Sequence, residues 1–235
     1  MKIKIKRLLC LLPFLLGLTI NLSARGLPPG QGTQPQNASG TKAELLQLWS
    51  EGLGETKYGN PGFKFEVTFM KIDVADIEAR LTPATAAELE SVVLEGKPNR
   101  TRVDKAAAIL QESEISAYRF IFLRDGGTGR FMDGTRSNLD SARKDRIISE
   151  PEYLSIWNVY QEIMRPVSER GSYKGDQLLY RIDKGGVRII YLGKDGDVLV
   201  DSIQSGEEWS RGFKGLFTSR DSAFRKNLIR SLWEN

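Results

Sequence analysis

Three strand-like runs near the C-terminus, separated only by short turns, most restrict the architecture open to this chain. Residues 178–182, 187–192 and 198–200 are rich in Leu, Ile, Val and Tyr, and between them stand Asp183-Lys-Gly-Gly186 and Lys194-Asp-Gly-Asp197. Gly-Gly and Asp-Gly turns match the twist of adjacent antiparallel strands, so this stretch reads as a meander.

The remaining elements follow from periodicity. Residues 63–69 (FKFEVTF) alternate apolar and polar strictly, as a half-buried strand does, whereas 117–123 (AYRFIFL) are apolar on nearly both faces and suit a central strand. The apolar phase moves from odd positions at 63–69 to even ones at Ile72 and Val74. In one continuous strand that needs an extra residue, so a bulge is expected near Met70 and Lys71. Thr41 and Glu44 have capping-box spacing ahead of Leu45, Leu48 and Trp49, predicting a helix over 42–53. Thr82-Pro83 opens a second helix with Leu89, Val92 and Val93 inward and Gly96 as its stop. Val103, Ala106, Ala107 and Leu110 form the stripe of a third, and Ser149-Glu-Pro-Glu152 starts a fourth with Tyr153, Trp157, Tyr160 and Met164 inward. A last helix near 221–233 buries Phe224, Leu228 and Leu232.

Three segments read as irregular. Residues 125–129 turn the central strand into a short partner at 130–132; the polar run around 134–149 suggests a hinge or domain boundary; and 206–212 form a loop presenting a free Trp209. Strands in hairpins with helices grouped between them imply an α+β fold, a mainly antiparallel sheet with helices packed on one face.

The N-terminus carries a separate message. Lys2, Lys4, Lys6 and Arg7 precede a 13-residue apolar run (LLCLLPFLLGLTI), and Ser23-Ala24 supplies small residues before Arg25. That is the layout of a secretory signal peptide, and the run is shorter than the ~20 apolar residues of a membrane span. The expected organisation is a signal peptide at 1–24, a flexible tether rich in Gly, Pro, Gln and Asn at 25–40, and an α+β domain at 41–235.

Composition then narrows the chemistry. The chain has 34 Lys and Arg against 30 Asp and Glu, one Cys and no His. Removing the leader takes away Cys10 and four basic groups, which leaves 30 charges of each sign and neither thiol nor imidazole. Disulfides and Cys/His metal sites are thereby excluded, as are the side chains most used as nucleophile or base near neutral pH. A charge-balanced surface also lacks the long-range pull on phosphate backbones, so nucleic acid is not an expected partner.

Four patterns could still carry chemistry. Asp125-Gly-Gly-Thr-Gly129 resembles the first phosphate-binding hairpin of the actin/hexokinase/Hsp70 ATPase superfamily, in which an Asp and a Thr approach nucleotide phosphates. The resemblance covers five residues without the superfamily's other phosphate and adenosine motifs, and an ordinary turn is the simpler reading. Ser141-x-x-Lys144 has the spacing of a serine activated by lysine, but Asp140 and Asp145 beside it would hold the amine charged. Asp183, Asp195, Asp197 and Asp201 could offer oxygen ligands to calcium, although Asp-Gly-Asp is common hairpin material. Asn37-Ala-Ser39 and Asn99-Arg-Thr101 fit the glycosylation pattern.

No catalytic, cofactor or metal residues are assigned from these patterns. The binding candidates are Asp125, Thr128, Asp133 and Trp209. The leading expectation is an exported, non-catalytic domain that binds a protein or small ligand in the cell envelope or outside the cell, with no cofactor and no permanent membrane span. The alternatives are a hydrolase using only Asp and Glu, such as a glycosidase, and a small-molecule carrier with an apolar pocket between helices and sheet. Expressed with its leader in a secreting host, the protein is expected to be recovered with Arg25 at its N-terminus by intact mass. Finding only the full 235-residue chain in the cytosol would contradict the leader assignment.

Overall fold

The computed structural model describes residues 40–54, 63–67 and 72–233. Six strands form one sheet in sequence order, each antiparallel to its neighbours: β1 (Phe63–Val67), β2 (Ile72–Leu81), β3 (Ser116–Phe122), β4 (Gln177–Asp183), β5 (Gly186–Leu192) and β6 (Val198–Ser205). The C-terminal meander is therefore as the turns require. Gly186 closes the β4–β5 hairpin at φ 154°, where an added Cβ would lie 2.0 Å from the Gln204 carbonyl oxygen.

β1 and β2 are two strands paired with each other, and the change of apolar phase falls between them. The bulge expected near Met70 and Lys71 lies outside the described residues; the register irregularity of this hairpin is between Lys64 and Glu66.

One face of the sheet presents Ile77, Tyr118, Phe120, Phe122, Leu178, Tyr180, Ile189 and Tyr191 to a helical layer. That layer comprises α2 (Pro83–Leu94), α3 (Arg100–Glu112), α4 (Gly129–Lys144), α5 (Glu150–Ile163), α6 (Arg165–Arg170), α7 (Glu207–Thr218) and α8 (Ala223–Ser231). Aromatic rings fill the space between. Tyr118 stacks on Phe217 at 3.6 Å, and Tyr180 meets Phe213 edge-on at 5.1 Å. Such pairs add to the large apolar area that each ring buries.

The alternate residues of the same strands, among them Ala117, Leu179, Ile190 and Leu192, face the other way. They are covered by α1 (Lys42–Ser50), so helices sit on both faces, though very unequally. Thr41 and Glu44 form the expected capping box. Trp49 anchors this helix: its indole N–H donates to the carbonyls of Tyr118 (3.3 Å) and Tyr180 (3.1 Å). The Arg80 and Arg119 guanidinium groups lie 5.2 and 5.3 Å from its ring centroid. Arg181 then donates to the carbonyls of Trp49 and Glu51, satisfying acceptors that the helix end leaves open.

Two segments expected to be irregular are helices. Residues 130–132 belong to the first turn of α4 instead of a strand, and the polar run that follows continues α4 to Lys144. Its inward face is Thr135, Asn138, Leu139, Ser141 and Ala142, all but Leu139 small or polar, which conceals a helical stripe from hydropathy. Residues 206–212 are likewise not a loop, since all but Gly206 lie in α7, where Trp209 is 6% exposed and packed on Phe213. These two helices explain each other. A Cβ on Gly215 would stand 2.7 Å from that of Ala142, and one on Gly212 would stand 3.0 Å from Ile156 Cδ1. Small residues let the backbones approach closely, and the glycines that made α7 look like a loop are its contact surface.

Gly215→Ala is accordingly expected to destabilise the protein by ~1–3 kcal/mol through overpacking, although Ala favours an isolated helix by ~1 kcal/mol. Chemical denaturation measures the sign. A stabilised variant would mean that α4 and α7 are not in tight contact.

Candidate binding groove

The clearest concave surface lies where α3 meets the α7–α8 turn and α8. Ser222 shapes that turn: its hydroxyl accepts from the Phe224 and Arg225 amides (3.2 and 3.4 Å) and donates to the Leu216 carbonyl. Asn138 of α4 accepts from Ala223 N at 3.0 Å, and Asp145 accepts from Arg220 N at 2.6 Å, so α4 holds the turn from both sides. Arg225, 8% exposed, donates to the Thr218 carbonyl (3.0 Å) and to Asp104 of α3. Beyond α8, the Trp233 indole donates to the Gly96 carbonyl at 2.8 Å.

The result is an open groove of about 500 Å³ with Pro98, Val103, Ile229 and Trp233 as its apolar lining and Arg100 and Arg220 beside them. A second depression of about 440 Å³ shares Asp104, Arg220 and Arg225 with the first. It runs past Ala107 and Ala108 to Ile147, Lys144 and Arg146. Together they form a trough along α3 whose Trp233 end has the larger apolar lining, with Arg220 and Arg225 common to both parts and Lys144 and Arg146 at the other end. Each depression falls within the ~300–1,000 Å³ typical of small-molecule sites.

The residues singled out from sequence lie elsewhere and do not converge. Asp125 accepts from Lys174 N at 2.7 Å, and Gly126 pairs with Ser172, so the glycine-rich loop fastens the start of α4 to the segment before β4. Thr128 is buried at the N-cap position of α4, while Asp133 is exposed on that helix. Trp209 is a core residue, for the reason already given. Ser141 donates to the Ser137 carbonyl, and Lys144 pairs with Asp140 at 2.8 Å, so neither serves the other. Asp183 and Asp195 belong to turns at opposite ends of β5, Asp201 is engaged by Arg188, and among the described residues no acidic cluster is placed to hold a metal. Asn99 caps α3 by accepting from Arg102 N at 2.9 Å. Asn37 lies outside the described residues.

The trough itself was not anticipated. Trp233, at the end of the helix expected near 221–233, is half-buried beyond the end of α8, and Arg220 and Arg225 stand in no distinguishing pattern. The only available signal was an Arg-rich, aromatic-ended C-terminal helix.

The described carboxylates with a visible shift, Glu44, Glu95, Asp140, Glu152 and Asp176, are all held below their usual range. A general acid needs the opposite. Asp176 is the most enclosed. Burial pushes it up, but donors outweigh that: the Tyr173 amide (2.8 Å), Arg170 (2.9 Å), the Lys194 amide (2.8 Å) and the Tyr191 hydroxyl (3.0 Å).

No family model and no curated protein matches this chain. Among solved structures, the Arabidopsis thaliana fatty-acid binding protein AtFAP1 superposes with a TM-score of 0.46 and 9% identity over 73% of this chain and 86% of that one. A likeness of that size does not indicate what this chain binds. Among the described residues, no helix is long and apolar enough to cross a membrane.

Because Asp176 is more acidic folded than unfolded, its contribution to stability is complete above the unfolded carboxylate value near ~4 and is lost as pH falls through the lower folded value. Asp176→Asn is expected to cost ~3 kcal/mol at pH ~7 and to flatten the acid limb of the stability profile. An unchanged acid limb would show that this carboxylate does not tie the loops together.

Proposed function

We propose that this protein is an exported, non-catalytic binding domain that takes a small amphipathic molecule in the trough between α3, α4 and α8. The observation that carries the reading is the trough's composition: an apolar floor ending in the half-buried Trp233, continued by a shallow run bordered by cations. The leader sequence supports a destination beyond the cytoplasm. An apolar pocket between sheet and helices, the form first considered for a carrier, fits less well with the aromatic packing there; the trough lies between helices instead.

Titration of the purified protein with N-phenylnaphthylamine, an uncharged dye that brightens in apolar sites, tests this. Saturable binding is expected, with Trp233→Ala weakening it about tenfold, since burial against a large side chain contributes ~1.5–3 kcal/mol. No binding, or binding indifferent to Trp233, would overturn the reading.

A further inference from the structure

Resting on the trough as the binding site, we infer that its ligand carries an anionic head held by Arg146 and Arg220, and that Arg146 occupies a disfavoured backbone conformation to reach it. Among the described residues, Arg146 is the only non-glycine at positive φ, 61°. It follows the end of α4 at the position where a helix closes by two reversed hydrogen bonds. Arg146 N donates to the Arg143 carbonyl and Ile147 N to the Ala142 carbonyl, both at 2.9 Å. Glycine is the usual occupant of that position because L side chains crowd the backbone there. This chain uses glycine when it ends helices at positive φ elsewhere, at Gly52, Gly96 and Gly171. An arginine with an exposed side chain is an anomaly, and no packing accounts for it.

Ion pairing around the trough sharpens the point. Lys144 is paired with Asp140, Arg143 with Asp140 and Glu150, Arg211 with Glu152, and Arg225 with Asp104. Among the described residues Arg146 and Arg220 form no ion pair, yet both border the basic half of the trough. Of the two acids there, Asp104 is paired with Arg225, whereas Asp145 accepts the Arg220 backbone amide and keeps its charge, so the two guanidinium groups exceed it by one. Two guanidinium groups that form no ion pair and outnumber the one unpaired carboxylate beside them, bordering a trough with an apolar lining, suit a carboxylate, sulfonate or phosphate joined to an apolar body.

Anilinonaphthalene sulfonate and N-phenylnaphthylamine share an aromatic frame and differ by the anionic group, so the pair isolates the charge. The wild-type protein is expected to bind the sulfonate more tightly. Arg146→Ala and Arg220→Ala should each weaken sulfonate binding about tenfold while leaving the uncharged dye nearly unaffected. Arg146→Gly should lose the same affinity but melt about 2 °C higher, as backbone strain is relieved, whereas Arg146→Ala should melt like wild type. Sulfonate affinity unchanged in both alanine variants, or equal losses for both dyes, would overturn the charge assignment while leaving the trough as a site. An Arg146→Gly variant that does not gain stability would overturn the claim of strain. Failure of either dye to bind the wild-type protein would reject the binding reading itself.

Discussion

The close contact between α4 and α7 is the constraint around which the front of the molecule is organised. α7 lies on β4 and β5 and is flanked by α3, α4, α5 and α8, so almost its whole surface is enclosed. A helix so enclosed cannot keep bulky side chains on every side. Its aromatic residues, Trp209, Phe213 and Phe217, fill the space toward neighbouring rings, and its glycines face α4 and α5 where no room remains. Because α7 is placed this firmly, the turn after it emerges at one position, where Asn138 and Asp145 of α4 fasten it.

That turn is what creates the trough. α8 leaves it in contact with α3, and Trp233 reaches back to the Gly96 carbonyl, so the two helices border an open groove. Charge is distributed to match. Arg225 is spent on internal structure between Thr218 and Asp104, while the exposed Arg220 and Arg146 border the trough and form no ion pair among the described residues. The buried polar centre on the opposite flank, Asp176 with its four donors, does the reverse. It is saturated with hydrogen bonds and serves to bind the loops before β4 and after β5 to each other.

How far the sequence could be read depended on whether each element's pattern came from its own contact with the sheet. The meander was legible because its turns are local chemistry, and α2, α3 and α5 because caps and apolar stripes coincide within a few residues. α4 and α7 were harder to read: the inward face of α4 is largely small or polar, and in α7 the glycines masked the stripe of Trp209, Phe213, Leu216 and Phe217. Thr135, Ser141, Gly212 and Gly215 have no apolar signature, and their value as contact residues depends on the partner's being equally small. The four binding candidates are not brought together, for a related reason. Asp125 and Thr128 were picked for a loop motif of five residues, yet tertiary hydrogen bonds to the segment at 172–174 employ that loop as a fastening.

By itself the sequence determined the antiparallel meander, the α+β class and the absence of imidazole from any mechanism, since turn residues, alternation and composition act at short range or not through geometry at all. Only tertiary structure decided that a glycine-rich stretch would be the central helix, that Trp233 would line a surface and Trp209 the core, and that Arg146 would stand beside Arg220. Those outcomes depend on which helix lies against which, and that is settled by steric fit between residues far apart in the chain.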